Sequence, residues 1–72
     1  MIVEAIEDFA IEHTLYDQFF GNGTVKKGTR FEVIREPIPE KKLYKLKEIS
    51  KFNTGFLYVR RSFFNKYFVA VE

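Results

Sequence analysis

Glu40-Lys41-Lys42-Leu43-Tyr44-Lys45-Leu46-Lys47-Glu48-Ile49-Ser50-Lys51 is the stretch on which the fold turns. Leu43, Leu46 and Ile49 recur at helical i, i+3, i+6 spacing, and Glu, Lys and Leu are good helix formers. Tyr44, Leu46 and Glu48 against Lys45 and Lys47 also read as strand alternation. The stretch is short and its neighbours are β-rich, which favours a strand, with a helix over 40–51 as the alternative. A strand here makes the protein all-β, whereas a helix would make it α+β.

Outward from this stretch the β signals continue. Phe31-Glu32-Val33-Ile34-Arg35 is rich in β-branched and aromatic residues and ends at Pro37-Ile38-Pro39, which cannot continue a central strand. Phe52-Asn53-Thr54-Gly55 reads as a turn, Phe56 to Arg60 as the clearest strand, Asn65 as a break, and Phe68 to Val71 as the closing strand. Met1 to Phe9 reads as extended, with Val3, Ala5, Ile6 and Phe9 as core candidates. Asn22-Gly23 is the dipeptide favoured in type I′ turns, so a hairpin or loop tip is expected near Asn22. Lys26-Lys27-Gly28-Thr29 supplies a second turn, with Gly28 available for positive φ. Turns recur at intervals of about 10–15 residues with no convincing helix, the pattern of a small barrel or sandwich.

The chain is 72 residues long, one domain by length, and residues 1–72 are read as a single unit. So short a chain buries only roughly 60% of its unfolded surface. Nine Phe and four Tyr offset that thin margin. The absence of Cys excludes disulfides, thiolate metal sites and cysteine nucleophiles. The single His13 argues against a histidine zinc site or a histidine-dependent triad, and no cofactor or metal is expected. No apolar run approaches the ~20 residues of a membrane span, and the expectation is a soluble, cytoplasmic, non-enzymatic protein with no membrane partner.

Charge is divided along the chain. Residues 1–20 carry Glu4, Glu7, Asp8, Glu12 and Asp17 with no Lys or Arg, while residues 21–72 carry all twelve Lys and Arg with the other five acids. Either the two halves pair within one molecule, or two oppositely charged surfaces stand ready for partners. Enrichment in Phe, Tyr, Ile, Asn and Lys, whose codons are AT-rich, suggests an AT-rich genome such as that of a low-GC bacterium or its phage.

In their order, several segments resemble one family. Ala5-Ile6-Glu7-Asp8-Phe9 looks like the Ala-Leu-Tyr-Asp-Tyr opening of Src-homology-three (SH3) domains. Val25-Lys26-Lys27-Gly28-Thr29 through Ile34 is similar to that family's diverging turn and second strand. Leu43-Tyr44-Lys45-Leu46 stands where the family has Trp-Trp-Lys-Ala, Thr54-Gly55-Phe56-Leu57 matches Thr-Gly-Tyr-Ile, and Asn65 to Ala70 resembles the closing Ser-Asn-Tyr-Val-Ala. The resemblance implies a small five-stranded SH3-like barrel. It does not carry over the proline-rich-peptide specificity, because Glu7, Phe9 and Leu43 replace groove aromatics, the proline after the fourth strand is missing, and only Tyr67, with Tyr16 as a substitute, is left.

Two surfaces are candidates for function. The first is for a protein partner: the acids Glu7, Asp8, Glu12 and Asp17 with Phe19 and Phe20, and the Arg60-Arg61-Ser62-Phe63-Phe64 segment, which matches nothing in the family. Adjacent residues on a strand face opposite ways, so Phe63 and Phe64 cannot both be buried in a small barrel if the segment is extended. Exposed Phe beside Arg is interface composition, which also raises self-association as a homodimer. The second surface is for nucleic acid: the basic, aromatic half over residues 41–67, chiefly Lys41, Lys42, Lys45, Lys47, Tyr44 and Tyr58, since cations contact phosphates and aromatics stack on bases. The leading expectation is a standalone protein-binding module, in concrete form a phage protein that inhibits a host protein by occluding a surface. Nucleic-acid binding is the alternative. For the fold, the deciding test is amide hydrogen exchange: a strand over 43–49 protects Leu46 and leaves little helix in circular dichroism, whereas a stable helix over 40–51 would refute the barrel.

Overall fold

A computed structural model describes residues 1–16, 20, 23–35, 43–49 and 55–72. The elements are β1 (Ile2–Ala5), β2 (Phe9–Ala10), a 3₁₀ turn (Ile11–His13), β3 (Leu15–Tyr16), β4 (Thr24–Val25), β5 (Arg30–Arg35), β6 (Leu43–Glu48), β7 (Phe56–Arg60), α1 (Arg61–Tyr67) and β8 (Phe68–Ala70). The fold is a small all-β one. One antiparallel sheet has the order β3-β7-β6-β5-β1-β8, and β2 pairs with β4 in a separate ribbon. The five strands expected from sequence are thus β1, β5, β6, β7 and β8, joined by three two-residue strands in the arm between β1 and β5. The Asn22 tip, the Pro37-Ile38-Pro39 loop and most of the Phe52–Gly55 turn lie outside the described residues.

The deciding stretch is a strand. Leu46 is fully buried and pairs with both Val33 of β5 and Leu57 of β7. Central position in the sheet decides between the two periodicities, because burying one side of residues 43–48 satisfies the backbone through two ladders at once. Ile49, which the helical spacing would have buried, is 55% exposed.

The core consists of Val3, Ala5, Phe9, Ile11, Phe20, Val25, Phe31, Leu46, Leu57, Val59 and Phe68. Val3 and Ala5 of β1 face inward as expected, while Ile6 is exposed. Phe20 corrects the sequence reading. It was expected on the surface for a partner, yet it is buried, stacked on Phe31 with ring centroids 6.3 Å apart. A thin core takes up the large apolar side chain that the arm brings within reach.

The second correction is α1. Sequence offered no helix over 61–67, but Arg61–Tyr67 forms one, and this removes the difficulty posed by adjacent Phe63 and Phe64. On a helix, residues 63, 64 and 67 share one face, so both rings reach the core while Arg61, Ser62, Asn65 and Lys66 stay exposed. The helix has no side-chain cap at its start and is only seven residues long. Such a helix is not stable alone and is held by packing.

The Gly28 turn bears out its reading. Gly28 has φ 93°, its N–H donates to the Ala5 carbonyl at 2.8 Å, and the Thr29 N–H donates to the Lys26 carbonyl at 3.1 Å. A Cβ on Gly28 would meet nothing within 4 Å, so the demand for glycine is conformational and not steric. Gly28→Ala should therefore cost about 1–2 kcal/mol, the left-handed penalty for an L-residue. Chemical denaturation measures it, and an unchanged midpoint would show that the turn adopts another conformation.

Candidate ligand-binding groove

The arm between β1 and β5 folds back so that its 3₁₀ turn and β3 approach the start of β6, the end of β7 and α1. Leu15 of β3 pairs with Tyr58 of β7, which fixes this approach. Thr14 braces the corner through a hydroxyl that donates to the Ile11 carbonyl at 2.7 Å. The result is a groove of about 390 Å³ lined by Glu12, His13, Thr14, Leu15, Leu43, Tyr58, Val59, Arg60, Ser62 and Phe63. That volume lies within the range of small ligand sites, roughly 300–1,000 Å³. Its lining combines the apolar surfaces of Leu15, Leu43, Tyr58 and Phe63 with a carboxylate (Glu12), an imidazole (His13) and a guanidinium (Arg60).

Phe63 is held by aromatic contacts on the core side. Its ring meets Phe9 edge-on at 5.0 Å and stacks with Tyr67 at 4.4 Å. Beyond Phe63 a shallower depression of about 400 Å³ is lined by His13, Ser62, Lys66 and Tyr67 together with Phe63. His13, Ser62 and Phe63 line both hollows.

The residues singled out from sequence fall in different places. Glu12, Arg60 and Phe63 come together at the groove. Asp8 does not. Its carboxylate accepts a hydrogen bond from the Lys27 N–H at 2.7 Å and lies 3.8 Å from Lys26 Nζ, so it clamps the Gly28 turn. Glu7 is exposed in the bend after β1, and Arg61 is exposed at the start of α1. Phe64 corrects the sequence reading as Phe20 does: it is half-buried, packed between Tyr44 at 3.9 Å and Phe68 at 5.5 Å. Asp17, Phe19, Lys41 and Lys42 lie outside the described residues.

Tyr44 was expected beside the lysines on a nucleic-acid surface. It faces α1 instead, on the side of β6 opposite Lys45 and Lys47, because alternation along a strand sends neighbours to opposite faces. Among groove residues that sequence reasoning did not single out, Leu15 carries no readable signal. Leu43 was named only as a residue that, by the resemblance, replaces a groove aromatic.

Among the described residues no group of three or more His, Asp or Glu could hold a metal ion, and no helix is long and apolar enough to cross a membrane. Comparison with protein-family models, with curated proteins and with solved structures gives no match.

The Tyr44–Phe64 stack is the contact that ties α1 to β6. A double-mutant cycle on Tyr44→Ala and Phe64→Ala should give a coupling of about 0.5–1.5 kcal/mol. Strict additivity would show that the two rings do not meet.

Proposed function

We propose that this protein is a non-enzymatic binding module of SH3-like architecture that takes an extended segment of another protein into the groove between the 3₁₀ turn, β6–β7 and α1. The observation that carries the reading is the groove itself: apolar side chains together with a carboxylate and a guanidinium, brought to one hollow from three separate parts of the chain. Such a lining accepts an apolar anchor side chain, and its charges set the direction of the segment and its rate of encounter. The strands β5, β6, β7 and β8 and the Gly28 turn fall within or beside the segments from which the resemblance was drawn, which supports the architecture. Leu43 in place of an aromatic platform favours an aliphatic or aromatic anchor over stacked prolines.

Leu15 offers a clean probe, because it is 61% exposed and contributes little to the core. Peptides selected from a random library against the immobilised protein should lose at least about tenfold in affinity for Leu15→Lys, a loss of about 1.4 kcal/mol. That variant should melt like the parent. Glu12→Lys should slow the association of basic peptides and leave their dissociation nearly unchanged. Selected peptides that bind both variants with parental rates would place the binding surface elsewhere and refute the groove.

A further inference from the structure

The pairing register defines a second surface, and the inference drawn from it goes beyond the groove. Directly opposed residues of antiparallel strands share a face. Leu15 lies opposite Tyr58, Tyr58 opposite Lys45, and Lys45 opposite Arg35, so one row crosses four strands. The neighbouring row runs Phe56, Lys47, Glu32, and on the other side Arg60 lies opposite Leu43. The residues between them in sequence, Leu46, Leu57 and Val59, are buried, so these rows form the outward face of the sheet. Among the described residues of these four strands, five cations, Arg30, Arg35, Lys45, Lys47 and Arg60, share this face with one acid, Glu32. Arg30 is paired with Glu4 of β1 at 3.1 Å, the Asp8–Lys26 pair lies at the Gly28 turn, and no ion pair among the described residues takes up Arg35, Lys45, Lys47 or Arg60. Aromatic surface is interleaved with the cations: Lys45 Nζ sits 4.2 Å from the Phe56 ring centroid, and half-buried Tyr58 lies beside Lys45 in the same row.

We propose that this outward face of β3-β7-β6-β5 binds single-stranded nucleic acid. Arg35, Lys45, Lys47 and Arg60 contact backbone phosphates, and Tyr58 stacks against a base. Charge complementarity selects a polyanion, since the cations outnumber the acid on the face. The aromatic at the centre of the cationic row selects among polyanions. A duplex keeps its bases stacked inside, and a sulfated polysaccharide has no π-face, whereas a single strand presents phosphate and base together. Tyr58 and Arg60 also line the groove described above, whereas Lys45 and Lys47 do not, so the lysine variants test this face apart from the groove.

The test is fluorescence anisotropy of the whole chain with labelled oligo-dT and oligo-rU, with a DNA duplex and heparin as competitors, over a range of salt. Binding at low salt should weaken as salt rises. Lys45→Gln with Lys47→Gln should flatten the log–log salt slope by about 1.4, at roughly 0.7 per lost phosphate contact on a single strand. Tyr58→Ala should weaken binding roughly tenfold at fixed salt without changing that slope, and Tyr58→Phe should restore it. If Tyr58→Ala melts early, preference for the single strand over heparin and duplex, together with the slope of the lysine variant, decides. Absence of binding at low salt, an unchanged slope in the lysine variant, or heparin or duplex bound as tightly as the single strand would overturn the proposal.

Discussion

The ring of Phe68 stands where the sheet and the helix meet, and the rest of the molecule is arranged around it. It packs edge-on against Phe31 at 5.6 Å and against Phe9 at 5.6 Å, and lies nearly parallel to Phe64 at 5.5 Å. Through Phe31 it reaches Phe20 of the arm, through Phe9 it reaches Phe63 and Tyr67, and through Phe64 it reaches Tyr44 of β6. One connected aromatic cluster thus joins β5, the arm, α1, β6 and β8. In a chain with no disulfide and so little interior, these contacts are the main constraint on shape. They hold a helix too short to persist alone, and that helix supplies one wall of the groove. Binding geometry therefore depends on packing several residues away from any ligand.

The charge division along the chain divides again in three dimensions. Glu4 meets Arg30 at 3.1 Å and Asp8 meets the Lys26-Lys27 turn, so part of the acidic segment is neutralised by the basic one within the molecule. These contacts are exposed, and exposed pairs contribute only about 0–1 kcal/mol each. Their greater effect is on location. They draw the acids toward the Gly28 turn and leave Glu12 at the groove, while Lys45, Lys47 and Arg35 gather on the far side of β5 and β6. Local pairing and separated charged surfaces are both present, at different residues.

How far the sequence could be read follows from which signals are local. The β-branched and aromatic run at 56–60 and the glycine at position 28 state their own conformations, and the structure agrees with them, whereas 43–48 fits either period and is decided by its central place in the sheet. Residues 61–67 do not state theirs either, because two adjacent Phe read as a surface problem on a strand and as a buried pair on a helix. Only the spacing of Phe63, Phe64 and Tyr67, taken with a waiting aromatic core, separates the two. Phe20 was misread for a related reason, since burial of an arm residue depends on where a long connection lands. The groove was the least legible feature. Leu15, Leu43 and Phe63 are far apart in sequence, and nothing short of the fold brings them together. Lys45, Lys47 and Tyr58 were recognisable as a type of surface, and the register supplied what sequence lacked by moving Tyr44 off that face and Arg35 onto it.

One aromatic cluster fixes α1 against the sheet and so shapes the groove. A solution NOE map of the aromatic protons probes that packing. Cross-peaks are expected from Phe68 to the rings of Phe9, Phe31 and Phe64, together with a Tyr44–Phe64 contact and helical i to i+3 connectivities across residues 61–67. Strand-type sequential connectivities through that segment, with the Phe63 and Phe64 rings on opposite sides of the backbone, would contradict it.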